Sequence, residues 1–225
     1  GVVYIIMKIF LDSSDEKKIE YYARHKFIDG VTTNPSIIAN SQKNIKDLVK
    51  NICDMVNGPV SAEVVGLTCE EMIDQGKKLA QIDNRVVVKI PANVEGYKAL
   101  TSLVELGIKV NLTVIYTVNQ AVLGAKYGAT YVSPFVGRLD ANGHSEGNII
   151  RDIRKSFVNF GFSCKILAAS MRNVVYARNA IVDGADILTV TPEILELMMV
   201  SELSDLSVDK FLQDWSKLDQ DKRYI

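Results

Sequence analysis

Eight short apolar runs, each followed by a segment of helical periodicity, narrow most sharply what this chain can fold into. The runs fall at residues 8–11, 31–33, 60–65, 86–91, 108–112, 130–135, 165–168 and 187–190. Strands this apolar are covered on both faces, as in a parallel sheet wrapped in helices. Helices are predicted over residues 14–25, 44–56, 68–80, 94–106, 118–127, 148–160 and 173–182. Ser13 with Glu16, and Thr68 with Glu71, read as capping boxes, while Asn57-Gly58-Pro59 and Gly107 read as stops. Thr191-Pro192 opens an eighth helix with an N-cap residue and proline at the first helical position.

Eight strand–helix units in a chain of 225 residues predict a single (β/α)8 TIM barrel over residues 7–217. A doubly wound open sheet is the alternative, but the first strand–helix turn lacks a G-x-G-x-x-G pattern. One amphipathic helix, residues 207–217, exceeds the set. Val208, Phe211, Leu212 and Trp215 share one face of it, which is expected to meet a second subunit. Met7 is expected to begin the natural protein, with residues 1–6 as upstream sequence.

A formal net charge of −1 without a basic run gives no reason to expect nucleic acid or an anionic membrane as partner. The apolar start is interrupted by Lys8 and is far too short to span a bilayer. Cys53, Cys69 and Cys164 are widely spaced without a CxxC pair and are read as free thiols of a cytoplasmic protein. With His25 and His144 as the only imidazoles, no His/Cys metal site is expected, and no cofactor motif is found. Asn111-Leu112-Thr113 matches a glycosylation sequon, but it follows a buried-looking strand and is discounted.

Within the fourth run, Val86-Val87-Val88-Lys89-Ile90-Pro91, a lysine is out of place. Desolvation disfavours a buried ammonium ion in general, and an amine held neutral attacks carbonyls to form a Schiff base. The bland alternative is a strand-end lysine that reaches water or pairs with a carboxylate. In a barrel of this type, catalytic groups come from the carboxyl ends of the strands. Those positions carry Asp12, Thr33 and Asn34, Glu63, Lys89, Asn111 and Thr113, Ser133 and Phe135, then Ser170 and Arg172. Such a mouth suits a lysine Schiff base acting as an electron sink, with Asp12 or Glu63 moving the proton. Arg138 and Arg172, with Ser170, suit a phosphate on the far end of the substrate.

The stretches Phe10-Leu-Asp-Ser-Ser14, Gly30-Val-Thr-Thr-Asn-Pro-Ser36, Val87-Val-Lys-Ile-Pro91, Asn111-Leu-Thr113, Ser133-Pro-Phe-Val-Gly-Arg138 and Ala168-Ala-Ser-Met-Arg172 carry a family resemblance. The chain is similar to the small transaldolases and fructose-6-phosphate aldolases, within the class I aldolases. That resemblance implies Lys89 as the Schiff-base lysine, Asp12 as general acid/base, and Glu63 with Thr113 as holders of a catalytic water. It implies Asn34, Asn111 and Ser133, with Thr33 and Phe135 beside them, around the dihydroxyacetone unit, and Arg138, Ser170 and Arg172 around the phosphate. It further implies sugar-phosphate substrates in the pentose phosphate pathway, no cofactor, and a homopentamer or decamer joined through the C-terminal helix. Aldolases of the family tend to carry Gln where this chain has Glu63 and Tyr where it has Phe135, so both positions favour transfer over release. Met171 stands where many relatives carry an aromatic residue. A sugar-phosphate-binding barrel without turnover is the reading from another class.

Overall fold

The computed structural model describes residues 6–137 and 148–223. Eight parallel strands close into one barrel in sequence order: β1 (Lys8–Asp12), β2 (Gly30–Thr32), β3 (Val60–Glu63), β4 (Val86–Pro91), β5 (Val110–Ile115), β6 (Tyr131–Pro134), β7 (Lys165–Ala168) and β8 (Ile187–Val190). The surrounding helices are α1 (Glu16–Arg24), α2 (Pro35–Ser41), α3 (Ile45–Met55), α4 (Cys69–Ala80), α5 (Val94–Glu105), α6 (Val118–Lys126), α7 (Ile149–Phe160), α8 (Val174–Val182) and α9 (Pro192–Met199), followed by α10 (Glu202–Trp215). The predicted (β/α)8 TIM barrel with a surplus helix is therefore the architecture found. No described helix is long and apolar enough to cross a membrane.

The strands are apolar on both faces because each face has its own core. Leu11, Val31, Val60, Val88, Leu112 and Leu188 point outward into the sheet–helix layer, with helix residues such as Ile19, Leu48, Met72, Leu100 and Phe157. Inside the barrel, Phe10, Val87, Tyr131, Leu167, Ala169 and Ile187 form a separate apolar plug, with Phe135 packed against it. Phe10 and Tyr131 meet edge-on at 6.2 Å between ring centroids. Gly30 makes the space for this: a Cβ there would lie 2.8 Å from the Phe10 ring and 2.6 Å from the Pro59 carbonyl oxygen. Any side chain at that position must displace the ring or the neighbouring backbone.

Several local expectations are corrected. The first helix is capped by Asp15, whose carboxylate accepts from the Lys17 and Lys18 amides, and not by a Ser13/Glu16 box. Glu16 instead accepts from Asn51 and pairs with Lys43. The Thr68/Glu71 box is present as read. The short helix α2 was not foreseen, although Asn34 as N-cap and Pro35 at the first position are the same signal as Thr191-Pro192. The C-terminal helix begins five residues before the expected 207–217 segment, at Glu202, and ends at Trp215.

Candidate active site

Strand parity builds the site directly above the plug. Asp12, Lys89, Ser133 and Thr189 each lie two residues beyond a plug member, namely Phe10, Val87, Tyr131 and Ile187. Side chains two apart on a strand share a face, so all four turn inward one level higher, at the carboxyl mouth. With Thr32, Asn34, Asn111, Phe135 and Ser170 among its other walls, they line a cavity of about 110 Å³.

Lys89 is 5% exposed. Its Nζ donates to the Thr33 carbonyl oxygen at 3.2 Å and stands 3.3 Å from Glu63 Oε2. Glu63 and Lys89 are register partners on β3 and β4, so the sheet itself sets their pairing. Glu63 does not line the 110 Å³ cavity; it reaches the site through the lysine and otherwise faces a groove between α3 and α4.

Asp12 takes the opposite wall. Thr32 Oγ1 donates to Asp12 Oδ1 at 2.9 Å, and Thr189 Oγ1 lies within hydrogen-bond distance of Thr32 Oγ1. With the Thr32 proton committed to the carboxylate, the Thr189 hydroxyl is the donor in the second bond. Burial pushes the Asp12 carboxyl above its ordinary pKa, and the Lys89 charge and the Thr32 hydrogen bond pull it part of the way back. A carboxyl poised in this way both takes and returns a proton more readily than a surface aspartate.

The third wall is an amide–hydroxyl relay. Ser133 Oγ donates to Asn111 Oδ1 at 2.6 Å, and Asn111 Nδ2 donates to Ser61 Oγ at 3.2 Å. Two residues on, Thr113 is fully buried, and its Oγ1 has no hydrogen-bond partner among the described residues. It sits where β5 slips register against β6, next to Val114 at φ 59°. A β-branched residue in the left-handed region is costly, and such strain collects at functional sites.

The other expected residues fall as follows. The Thr33 hydroxyl donates to the Ser61 carbonyl at 2.8 Å, so it braces β2 on β3 and stays off the cavity wall. Asn34 lines the cavity while its Oδ1 caps α2 by accepting from the Ile37 amide. Phe135 reaches the cavity and packs edge-on against Tyr116 at 5.9 Å. Ser170 also lines it, with φ 58°. Arg172 is exposed, and its stem runs so close to Gly137 that a Cβ there would lie 2.7 Å from Arg172 Cγ. Arg138 lies outside the described residues. Thr32, Thr189 and Ser61 were missed by the sequence reading; parity with Gly30 and Ile187 identifies the first two, and register with the plug residue Val87 places Ser61. Among the described residues, no group of three His, Cys, Asp or Glu side chains is arranged to hold a metal ion.

A buried amine between two carboxylates, facing a small polar cavity, is equipped for covalent carbonyl chemistry. Comparison with known proteins points the same way. The family described as Transaldolase/Fructose-6-phosphate aldolase matches residues 9–222. A probable transaldolase of Caulobacter vibrioides (strain NA1000 / CB15N) is 44% identical over 214 residues, covering 95% of this chain and 99% of the relative. A probable transaldolase of Geobacter metallireducens (strain ATCC 53774 / DSM 7210 / GS-15) is 44% identical over 212 residues, 94% and 99% of the two chains. One of Bartonella tribocorum (strain CIP 105476 / IBS 506) is 42% identical over 214 residues, 95% and 99% of the two chains.

Proposed function

The chain belongs to the transaldolase/fructose-6-phosphate aldolase family, and on that premise we propose that it is a transaldolase of the pentose phosphate pathway working through a Lys89 Schiff base. The donor is sedoheptulose 7-phosphate and the acceptor glyceraldehyde 3-phosphate; the products are erythrose 4-phosphate and fructose 6-phosphate. The observation that carries this reading is the Lys89 amine, buried at the cavity wall within 3.3 Å of Glu63 and with Asp12 in the same cavity.

In this mechanism Glu63 takes a proton from the Lys89 ammonium, and the free amine adds to the ketose C2 carbonyl. The carbinolamine loses water to give the iminium, with Glu63 and the Thr113 hydroxyl holding the water that carries the proton. Asp12 takes the C4 hydroxyl proton as the C3–C4 bond breaks, and the electron pair moves into the iminium to form the enamine. Erythrose 4-phosphate departs. The enamine then adds to the acceptor aldehyde, Asp12 returns its proton to the new alkoxide, and water hydrolyses the iminium to free fructose 6-phosphate and Lys89.

Asn34, Asn111 and Ser133 bind hydroxyls of the three-carbon unit. Thr33 contributes through its carbonyl, which orients the amine. Ser170, Arg172 and Arg138 take the phosphate. Phe135 offers no hydroxyl to protonate the enamine, which favours transfer over release of dihydroxyacetone. The protein works in the cytoplasm as a homopentamer or decamer joined through α10.

Borohydride reduction in the presence of fructose 6-phosphate tests the covalent step. A three-carbon adduct on the Lys89 peptide, with erythrose 4-phosphate consumed in a coupled assay, is the expected result. An unmodified Lys89 in turning-over enzyme rejects it, and dihydroxyacetone released without acceptor identifies an aldolase instead.

A further inference from the structure

We propose that the amino-terminal mouth of the barrel is a second binding site, for a small phosphate-bearing anion. A cavity of about 470 Å³ opens there, larger than the cavity at the carboxyl mouth. The parity that turns Asp12 upward also turns Lys8 inward below Phe10, and Lys165 lies two residues below the plug member Leu167. Both lysines line this cavity, with Tyr131 and Ile187 of the plug above them. The intervening plug, with Phe10 and Val87 fully buried, separates the two cavities.

The charge balance is what makes this mouth a site and not a gap. Neither Lys8 nor Lys165 has a carboxylate partner among the described residues. Asp186 is the acidic residue on the wall, and it is already committed: Arg154 Nη2 stands 2.5 Å from its Oδ2, which also accepts from the Ile166 amide at 2.7 Å. Two ammonium groups therefore line the cavity without an ion-pair partner among the described residues. Tyr131 is 9% exposed and lines this cavity, and its hydroxyl has no hydrogen-bond partner among the described residues. Its ring is buried in the plug, while its hydroxyl is not closed off by the protein and is available to an occupant of the cavity. Burial also pushes its pKa up, so it stays a neutral donor beside an anion. Two cations, the Tyr131 phenol and the Ser163 hydroxyl supply hydrogen-bond donors to this wall, which match a phosphoryl group's acceptor oxygens. A cavity of this size also has room for a sugar attached to that phosphate.

Isothermal titration of the full chain with inorganic phosphate, at constant ionic strength, tests this. Binding is expected to persist in Lys89→Met and in Arg172→Ala. It should weaken about tenfold in Lys8→Gln and in Lys165→Gln, and by a smaller factor in Tyr131→Phe, as for lost charge-assisted and neutral hydrogen bonds respectively. Turnover by the Lys8→Gln/Lys165→Gln protein should match wild type. Phosphate binding that is unchanged in the double variant, or that disappears in Arg172→Ala alone, overturns the proposal. A parallel titration of the Arg172→Ala protein with ribose 5-phosphate separates the sources. Tighter binding than inorganic phosphate identifies a phosphorylated sugar as the occupant, and equal binding identifies free phosphate.

Discussion

Lys89 Nζ and Glu63 Oε2 stand 3.3 Å apart on residues that are direct register partners of β4 and β3. The pairing reconciles the two readings of the lysine: it forms an ion pair in a buried site, and in the proposed mechanism the same carboxylate receives its proton when a carbonyl arrives. Removing one partner leaves the other charge buried. Lys89→Met is expected to abolish turnover and to lower stability by about 1–3 kcal/mol. Adding Glu63→Gln should restore most of that stability and none of the activity. Chemical denaturation of wild type, both single variants and the double variant measures the coupling, and additive losses would remove the pair from the account.

The Asp12–Thr32–Thr189 chain predicts a pH effect of defined sign. In the proposed mechanism Asp12 must be ionised to accept the C4 proton, and the Thr32 hydrogen bond favours the ionised form. Thr32→Val should therefore move the acid limb of the kcat profile to higher pH. On that limb it should lower kcat about tenfold, the value of roughly 1.5 kcal/mol for a hydrogen bond to a charged group. Because burial holds the folded-state pKa above the unfolded one, Asp12 adds stability at low pH that is lost as pH rises through the folded value. Asp12→Asn should lack that loss. Thermal melts across the pH range check the second statement, and initial rates the first.

Thr113 separates activity from stability. Its buried hydroxyl has no partner among the described residues, so it costs desolvation and returns nothing to the free fold. Thr113→Val preserves the shape and removes that cost, which should leave stability unchanged or raise it by up to about 1 kcal/mol. If the hydroxyl holds the water that serves Glu63, kcat should fall by roughly 10²-fold, and Thr113→Ser should recover much of it. A Val variant that is both more stable and fully active contradicts the role.

The barrel was legible because continuous apolar, β-branched runs alternating with segments of helical periodicity survive in a single sequence, and the strand-end residues could then be read off. Lys89 stood out among Val86, Val87 and Val88 for the same reason. Adjacent threonines did not resolve themselves: Thr32 and Thr33 are interchangeable in composition. Only the register of Phe10 with Gly30 turns Thr32 inward toward Asp12 and leaves Thr33 on Ser61. Glu63 was legible as a strand-end carboxylate, but its position beside the lysine and off the cavity wall depends on β3–β4 pairing across a long stretch of chain. Helix starts failed where side chains had competing partners. Glu16 looks like half of a capping box by spacing, yet it is taken by Lys43 and Asn51, residues of a later segment.

The surplus helix α10 makes the last prediction. All of its residues are exposed, including Leu203, Leu206, Phe211, Leu212 and Trp215, the last 42% exposed. A helix with this many apolar side chains and no buried residue gains little from the barrel beneath it. In the proposed oligomer, packing against another subunit would supply the missing burial, and aromatic residues at the centre of such contacts dominate their energy. Phe211→Glu with Trp215→Ala is therefore expected to weaken assembly by at least about 2 kcal/mol per residue, roughly a thousandfold in the dissociation constant for the pair. Sedimentation velocity should find the wild-type chain as a closed oligomer and the double variant as monomers at micromolar concentration, with the barrel's circular dichroism unchanged. If the wild type and a chain ending at Met199 sediment as the same species, the contact lies elsewhere on the barrel.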